Sequence, residues 1–188
     1  RSVSLSDEHN YPQFSAIARI ALGRAIAELD DATAGVSLIH QGLEAMARTG
    51  ARAGLTMYLV WLAEAQNLAR SPGNAAATLE RALTINPQER LYRAEALKLR
   101  GLLSFHKGDF EMGERDLGAA LSLAREIGAH RFALRSAHAF AELHISRGRP
   151  ERAVRYLEEA LAAAPVAPSD VDFSRAQGLL ERLLPQVQ

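Results

Sequence analysis

The chain has 188 residues, 22 Lys and Arg against 22 Asp and Glu, no cysteine, and a formal net charge of zero at pH 7. Balanced charge removes the long-range field that draws a protein to nucleic acid or an anionic membrane, and the lack of cysteine removes disulfide and thiolate chemistry and fits a reducing, cytoplasmic compartment. No apolar run approaches the roughly 20 residues that span a bilayer, and no signal-peptide pattern is present.

Small residues set a repeating frame. Gly42, Ala82, Ala120 and Ala160 recur at steps of 40, 38 and 40 residues. An aliphatic residue precedes each by three places (Ile39, Leu79, Leu117, Leu157), and a leucine follows each (Leu43, Leu83, Leu121, Leu161). Nineteen places earlier stand Gly23, Ala63, Gly101 and Ala141. A period of this length predicts stacked helical hairpins.

In chain order, residues 1–9 read as the tail of a second helix, because Ser2 lies one period before Gly42; at least one more repeat is expected ahead of Arg1. Asn10, one period before Gly50, ends that tail, and Gly128 takes the same place later. Repeat 1 spans 10–50, with helices at 11–29 and 32–49. Repeat 2 spans 51–88, with helices at 52–69 and 72–86. Repeat 3 spans 89–128, with helices at 89–107 and 110–127. Repeat 4 spans 129–167, with helices at 130–147 and 150–164. A last helix at about 170–184, within 168–188, covers the end of the array. It starts at Pro168-Ser169-Asp170, with Ser169 or Asp170 as cap. Val171, Phe173, Leu179, Leu180, Leu183 and Leu184 fall on one side, and Arg175, Glu181 and Arg182 are left to solvent.

The turns carry matching punctuation. Gly108 and Gly148 sit just past first helices, Asp109, Asp30-Asp31 and Ser71 offer cap oxygens, and Pro72 and Pro150 suit a first helical turn. Pro87 and Pro165 close second helices. Close helix crossings are expected where Gly23 meets Gly42, Ala63 meets Ala82, Gly101 meets Ala120 and Ala141 meets Ala160. A second small set, Gly35, Ala75, Gly113 and Ala153, recurs early in each second helix.

These spacings resemble the tetratricopeptide repeat (TPR) across essentially the whole chain. The resemblance implies an all-α fold, a right-handed α-α superhelix (TPR-like solenoid) of about four helical hairpins plus a C-terminal capping helix. The period exceeds the usual ~34 residues, most of the usual aromatics are absent, and Trp61 is not at the standard place. A narrower resemblance lies in the runs Leu5–Pro12, Leu22–Leu29, Gly42–Arg52, Leu62–Ala65, Arg93–Gly101 and Ala124–Ala129. They are similar to the C-terminal repeat region of large bacterial signalling proteins of the maltose-regulator type. In those a class III nucleotide cyclase or a winged-helix domain precedes an ATPase module. This resemblance implies a sensor or scaffold arm acting on upstream domains.

The chain has no phosphate-cradling glycine loop, no His-Glu-x-x-His and no nucleophile elbow. No catalytic residue, metal site or cofactor is therefore expected. His138 and Glu142 share a helix face, and with His144 they read as a surface ion pair plus a packed histidine. Arg147, Arg149, Arg152 and Arg155 form a basic cluster, but Glu151, Glu158 and Glu159 interleave or follow and no stacking aromatics accompany it, which reads as a solvated face with no direct nucleic-acid contact.

The inner wall of first helices remains as the binding surface. In repeats 1 and 2 it is expected to present Arg24, Met57, Glu64 and Asn67, with Ile17, Ile20 and Val60. In repeats 3 and 4 it presents Glu95, Lys98, His106, Arg135, His138 and Glu142, with Leu102. Aliphatics mixed with both charges suit a peptide or helix with apolar anchors and polar ends; the competing reading is that Met57, Val60 and Leu102 fill contacts between repeats. The function expected is non-catalytic binding of a protein or peptide, or of upstream domains of the same chain, in a cytoplasmic regulator. The alternative is a homo-oligomerisation platform with no separate ligand.

Overall fold

The structure, a computed structural model, describes residues 1–29, 31–165 and 170–186. Among these the regular elements are all helical. The chain divides into two compact units, Arg1–Glu89 and Arg90–Gln188. Asp30, Pro168 and Ser169, named above at two helix starts, lie outside the described residues.

Unit 1 holds α1 (Ser2–Glu8), α2 (Pro12–Leu29), α3 (Ala32–Thr49), α4 (Leu55–Leu68) and α5 (Pro72–Ile85). Helices α2 and α3 form one hairpin, α4 and α5 the next, and α4 packs on both α2 and α3. Its core joins Ala16, Ile20 and Ala27 of α2 to Ile39 and Met46 of α3 and to Tyr58, Leu62 and Ala65 of α4. Asp31 caps α3 by accepting from the Thr33 and Ala34 amides at 2.9 and 3.0 Å. Ser71 occupies the cap position of α5, but its hydroxyl makes no capping bond, so Pro72 alone carries that start.

The start of α4 is displaced from its expected place. The spacing predicts a helix from about 52, yet it begins at Leu55, because Gly54 sits at φ 77° in the left-handed region. Its amide and that of Thr56 point to one acceptor, the Glu89 carboxylate, at 2.6 and 2.8 Å. Exposed amides at a helix start are the positive end of the helix. A carboxylate more than thirty residues away in sequence therefore acts as the cap that no local side chain supplies.

Unit 2 holds α6 (Arg90–His106), α7 (Phe110–Glu126), α8 (His130–Ser146), α9 (Pro150–Ala163), α10 (Val171–Leu183) and a 3-10 turn (Leu184–Gln186). Hairpins α6–α7 and α8–α9 are followed by α10, which rests on α8 and α9. Leu117 and Leu121 of α7, Leu134, Phe140 and Leu143 of α8, Leu157 of α9, and Ala176, Leu179 and Leu183 of α10 share one core. Asp109 and Asp170 cap α7 and α10. The apolar side expected of α10 is narrower than drawn: Val171 and Leu184 are exposed, while Asp172 is buried.

Small residues do mark the close crossings, but the opposing pairs differ from those expected. Gly23 faces Gly35 and Ile39, and Gly42 faces Ala16 and Ile20. Likewise Gly101 faces Gly113 and Leu117 rather than Ala120. The short turn sets an antiparallel register in which each first-helix glycine meets the small residue early in its partner helix. The later small residue meets the start of the first helix.

Candidate groove on the first helices of unit 2

Residues three or four apart on a helix share a face. On α6 that places Lys98 and Leu102 together, on α8 Arg135, His138 and Glu142, and on α10 Asp172 and Arg175. The three faces converge on a groove of about 340 Å³, with Leu102, Leu134 and Ala139 supplying its apolar lining. Five residues expected on the inner wall, Lys98, Leu102, Arg135, His138 and Glu142, are thus brought to one site.

The electrostatics beneath the groove are largely self-contained. Glu95, expected on the open wall, is buried at 3 % exposure. It accepts from Lys98 Nζ at 2.5 Å, and Arg135 Nη1 lies 3.5 Å from the same oxygen. Arg135 Nε also lies 3.5 Å from Asp172, whose other oxygen is 3.5 Å from Arg131. Arg131 continues to Asp170 at 3.1 Å. A buried carboxylate persists only with such partners; Glu95 Oε1 holds Lys98 and Arg135, while its Oε2 has no hydrogen-bond partner among the described residues. His138 Nδ1 lies 3.8 Å from Glu142, the i,i+4 contact expected. Asp172 and Arg175 were not anticipated, because α10 read only as a cover for the core.

The other predicted positions divide differently. His106 is exposed at the end of α6 with its ring against Phe105, outside the groove. In unit 1, Arg24 lies 4.8 Å over the Trp61 ring, donates to Glu28 at 2.8 Å and pairs with Glu64 at 3.4 Å. Met57 packs partly buried against the unit 1 core, and Asn67 is exposed. Ile20 and Val60 are core residues, not wall residues; Gly42 leaves the space that Ile20 fills.

His144 is fully buried, its ring stacked on Tyr156 at 5.5 Å and tilted against Phe140 at 4.7 Å. Burial holds its pKa below the ordinary value; Glu114 opposes this, while Arg152, Arg149 and Arg147 add to it. Those arginines form an exposed face in which Arg149 and Arg152 lie 3.8 and 3.6 Å from Glu114. Among the described residues no group of three or more His, Cys, Asp or Glu is placed to hold a metal ion. Nor is any described helix long and apolar enough to cross a membrane. A second cavity of about 400 Å³, mostly apolar, lies between Leu91, Phe132, Ala164 and Phe173.

With this geometry in place, the chain compares with known proteins as follows. Residues 92–165, from α6 through α9, match the tetratricopeptide repeat family. No curated protein matches the chain. Among solved structures, BtubC (BKLC) from P. vanneervenii is similar with a TM-score of 0.75 at 18% identity, over 98% of this chain and 86% of that one. The nearly identical TPR-like repeats of a Podosopora anserina kinesin light chain give 0.69 at 18% identity, over 93% and 87%. A thermophilic TPR protein of Thermus thermophilus gives 0.51 at 22% identity, over 88% and 99%. At such identities the likeness shows the fold alone: an all-helical, TPR-like solenoid. Repeats of this type generally mediate protein–protein interaction.

Proposed function

We propose that this chain is a non-catalytic protein-interaction domain, and that the groove between α6, α8 and α10 holds a peptide or helix from its partner. The observation that carries the reading is the convergence of Lys98, Arg135, His138, Glu142 and Arg175 around an apolar strip. An apolar anchor would occupy the strip beside Leu102 and Leu134, and polar ends would meet the charged rim. In the fuller form of the proposal the domain is the regulatory arm of a larger bacterial signalling protein in the cytoplasm, and the partner biases upstream output. Such regulation requires the partner to bind two states of the whole protein unequally.

The test uses a displayed library of random peptides, selected on the wild type and scored against a His138→Ala, Arg175→Glu double variant. Both residues line the groove, and neither appears among the ion pairs that hold Glu95. Selected peptides should share an apolar anchor and bind the variant about tenfold more weakly, a loss of ~1.4 kcal/mol. Peptides that bind both proteins equally would remove the groove from the reading.

A further inference from the structure

The charged side chains around the groove of unit 2 divide into those already paired and those left open. Lys98 Nζ donates to Glu95 at 2.5 Å, and Arg135 lies 3.5 Å from both Glu95 and Asp172. These two cations and two carboxylates answer one another. Arg175 is different: it lines the groove, is exposed on α10, and enters no ion pair among the described residues. Glu142, exposed on α8, lies 3.8 Å from His138 Nδ1, too far for a hydrogen bond. One cation and one carboxylate are therefore open, on different helices.

Their places follow from the helix register. Asp172 contacts Arg131 and Arg135, so α8 and α10 start at the same end of the unit. The chain reverses from α8 into α9 and again into α10, so α8 and α10 run in the same direction. Arg175 lies about one turn past Asp172, and Glu142 about two turns past Arg135. At 1.5 Å per residue this puts Glu142 about 6 Å further along that direction, and neighbouring axes are about 9 Å apart, so the open charges are separated by roughly 11 Å. Leu102, Leu134 and Ala139 line the same groove.

We propose that the segment held in the groove carries an apolar anchor together with one acidic and one basic side chain, the acid against Arg175 and the base against Glu142. The proposal rests on the groove reading above and adds to it the sign and order of the partner's charges. A segment with two acids gains at Arg175 and is repelled at Glu142; one with two bases meets the reverse. Like charges brought face to face at an interface are costly, and complementary ones fix register. Because one charge of each sign is open, the groove selects by the order of charges and so sets the direction of the bound chain. Lys98 and Arg135 stay on Glu95 throughout, so binding strands no buried carboxylate.

The probe is a displayed peptide library with one fixed leucine and Glu or Lys placed one to four residues to either side of it. The wild type should enrich peptides with one Glu and one Lys, in one order, about tenfold over those with two of either. Arg175→Glu should enrich Lys on both sides, Glu142→Lys should enrich Glu on both sides, and the double variant should return to mixed pairs in the opposite order. Both positions are exposed, so circular-dichroism melts should match the wild type. Leu102→Gln leaves both charges in place and reports occupancy of the groove: enriched peptides should bind it about tenfold more weakly. Peptides weakened by Leu102→Gln but indifferent to the signs at 142 and 175 would overturn the charge order and leave the groove reading standing. Peptides that bind Leu102→Gln as well as the wild type would overturn both.

Discussion

Replacing Gly35 by alanine tests how the helices of unit 1 are held together. An added Cβ would lie 2.5 Å from the Gly23 carbonyl oxygen, 2.6 Å from the Ala27 Cβ and 2.7 Å from the Ala27 amide nitrogen. Favourable contacts between carbon atoms need about 3.5–4.0 Å, so α3 must retreat from α2 by about 1 Å. Two of the blocking groups are backbone, which no rotamer change can move. Overpacking costs typically about 1–3 kcal/mol, and a rigid obstacle puts this site at the upper end. Alanine recovers about 1 kcal/mol of helix propensity. The net expectation is a loss of about 2 kcal/mol. Gly178 in α10 is the control, because no described residue lies within 4 Å of a Cβ there; Gly178→Ala should be stabilising by about 0.5–1 kcal/mol. Urea titration provides the assay. Fluorescence of Trp61, the one tryptophan, reports on unit 1, since it packs against the unit 1 core beside Tyr58. Circular dichroism follows the whole chain. If Gly35→Ala is as stable as the wild type while Gly178→Ala gains, close crossing at glycine is not what seats α3 on α2.

Two further expectations concern pH. Burial pushes the Glu89 carboxyl up, but hydrogen bonds from Thr56, Gly54 and Asn86 outweigh it and hold the pKa below its ordinary value of 4.5. Its contribution is therefore complete above about pH 4.5 and is lost as pH falls through the lower folded-state value. Glu89→Gln should cost about 1–2 kcal/mol at pH 7 and flatten the acid limb of a stability curve; an unaltered limb would deny Glu89 its capping role. His144 has its pKa lowered by burial, and neither ring nitrogen has a hydrogen-bond partner among the described residues. Below pH 6.5 the unfolded chain takes up a proton that the folded state resists, so stability falls by at most ~1.4 kcal/mol per pH unit. His144→Phe keeps the stack with Phe140 and Tyr156, should be at least as stable at pH 7, and should lose that slope. Melting curves at pH 5 and 7 with equal slopes for the two proteins would refute this.

Features carried by local chemistry were readable in the sequence. Gly50, Gly108, Gly128 and Gly148 adopt positive φ at helix ends, and Asp31, Asp109 and Asp170 cap the helices that follow them. The small-residue period gave the hairpins, but not which small residues oppose each other, because that depends on turn geometry. Long-range polar pairing was hidden. Glu89 on the α4 amides, and Arg100 donating to Asp116 at 2.6 and 2.9 Å, join residues that no local spacing links. Glu95 was misplaced for a related reason. A charged residue on a first helix reads as solvent-facing until the cations that allow its burial, Lys98 and Arg135, are seen around it. For the groove, the α6 and α8 residues followed from helical periodicity, whereas Asp172 and Arg175 depend on how α10 docks.

The most direct measurement is a methyl and aromatic-ring NMR titration of the wild-type chain with a selected peptide. The account predicts shifts in Leu102, Ala139 and His138 that saturate together, with Leu91 and Phe173 in the neighbouring apolar cavity and the unit 1 core left unmoved. Shifts centred on Leu91, Phe132 and Phe173, with His138 silent, would contradict it.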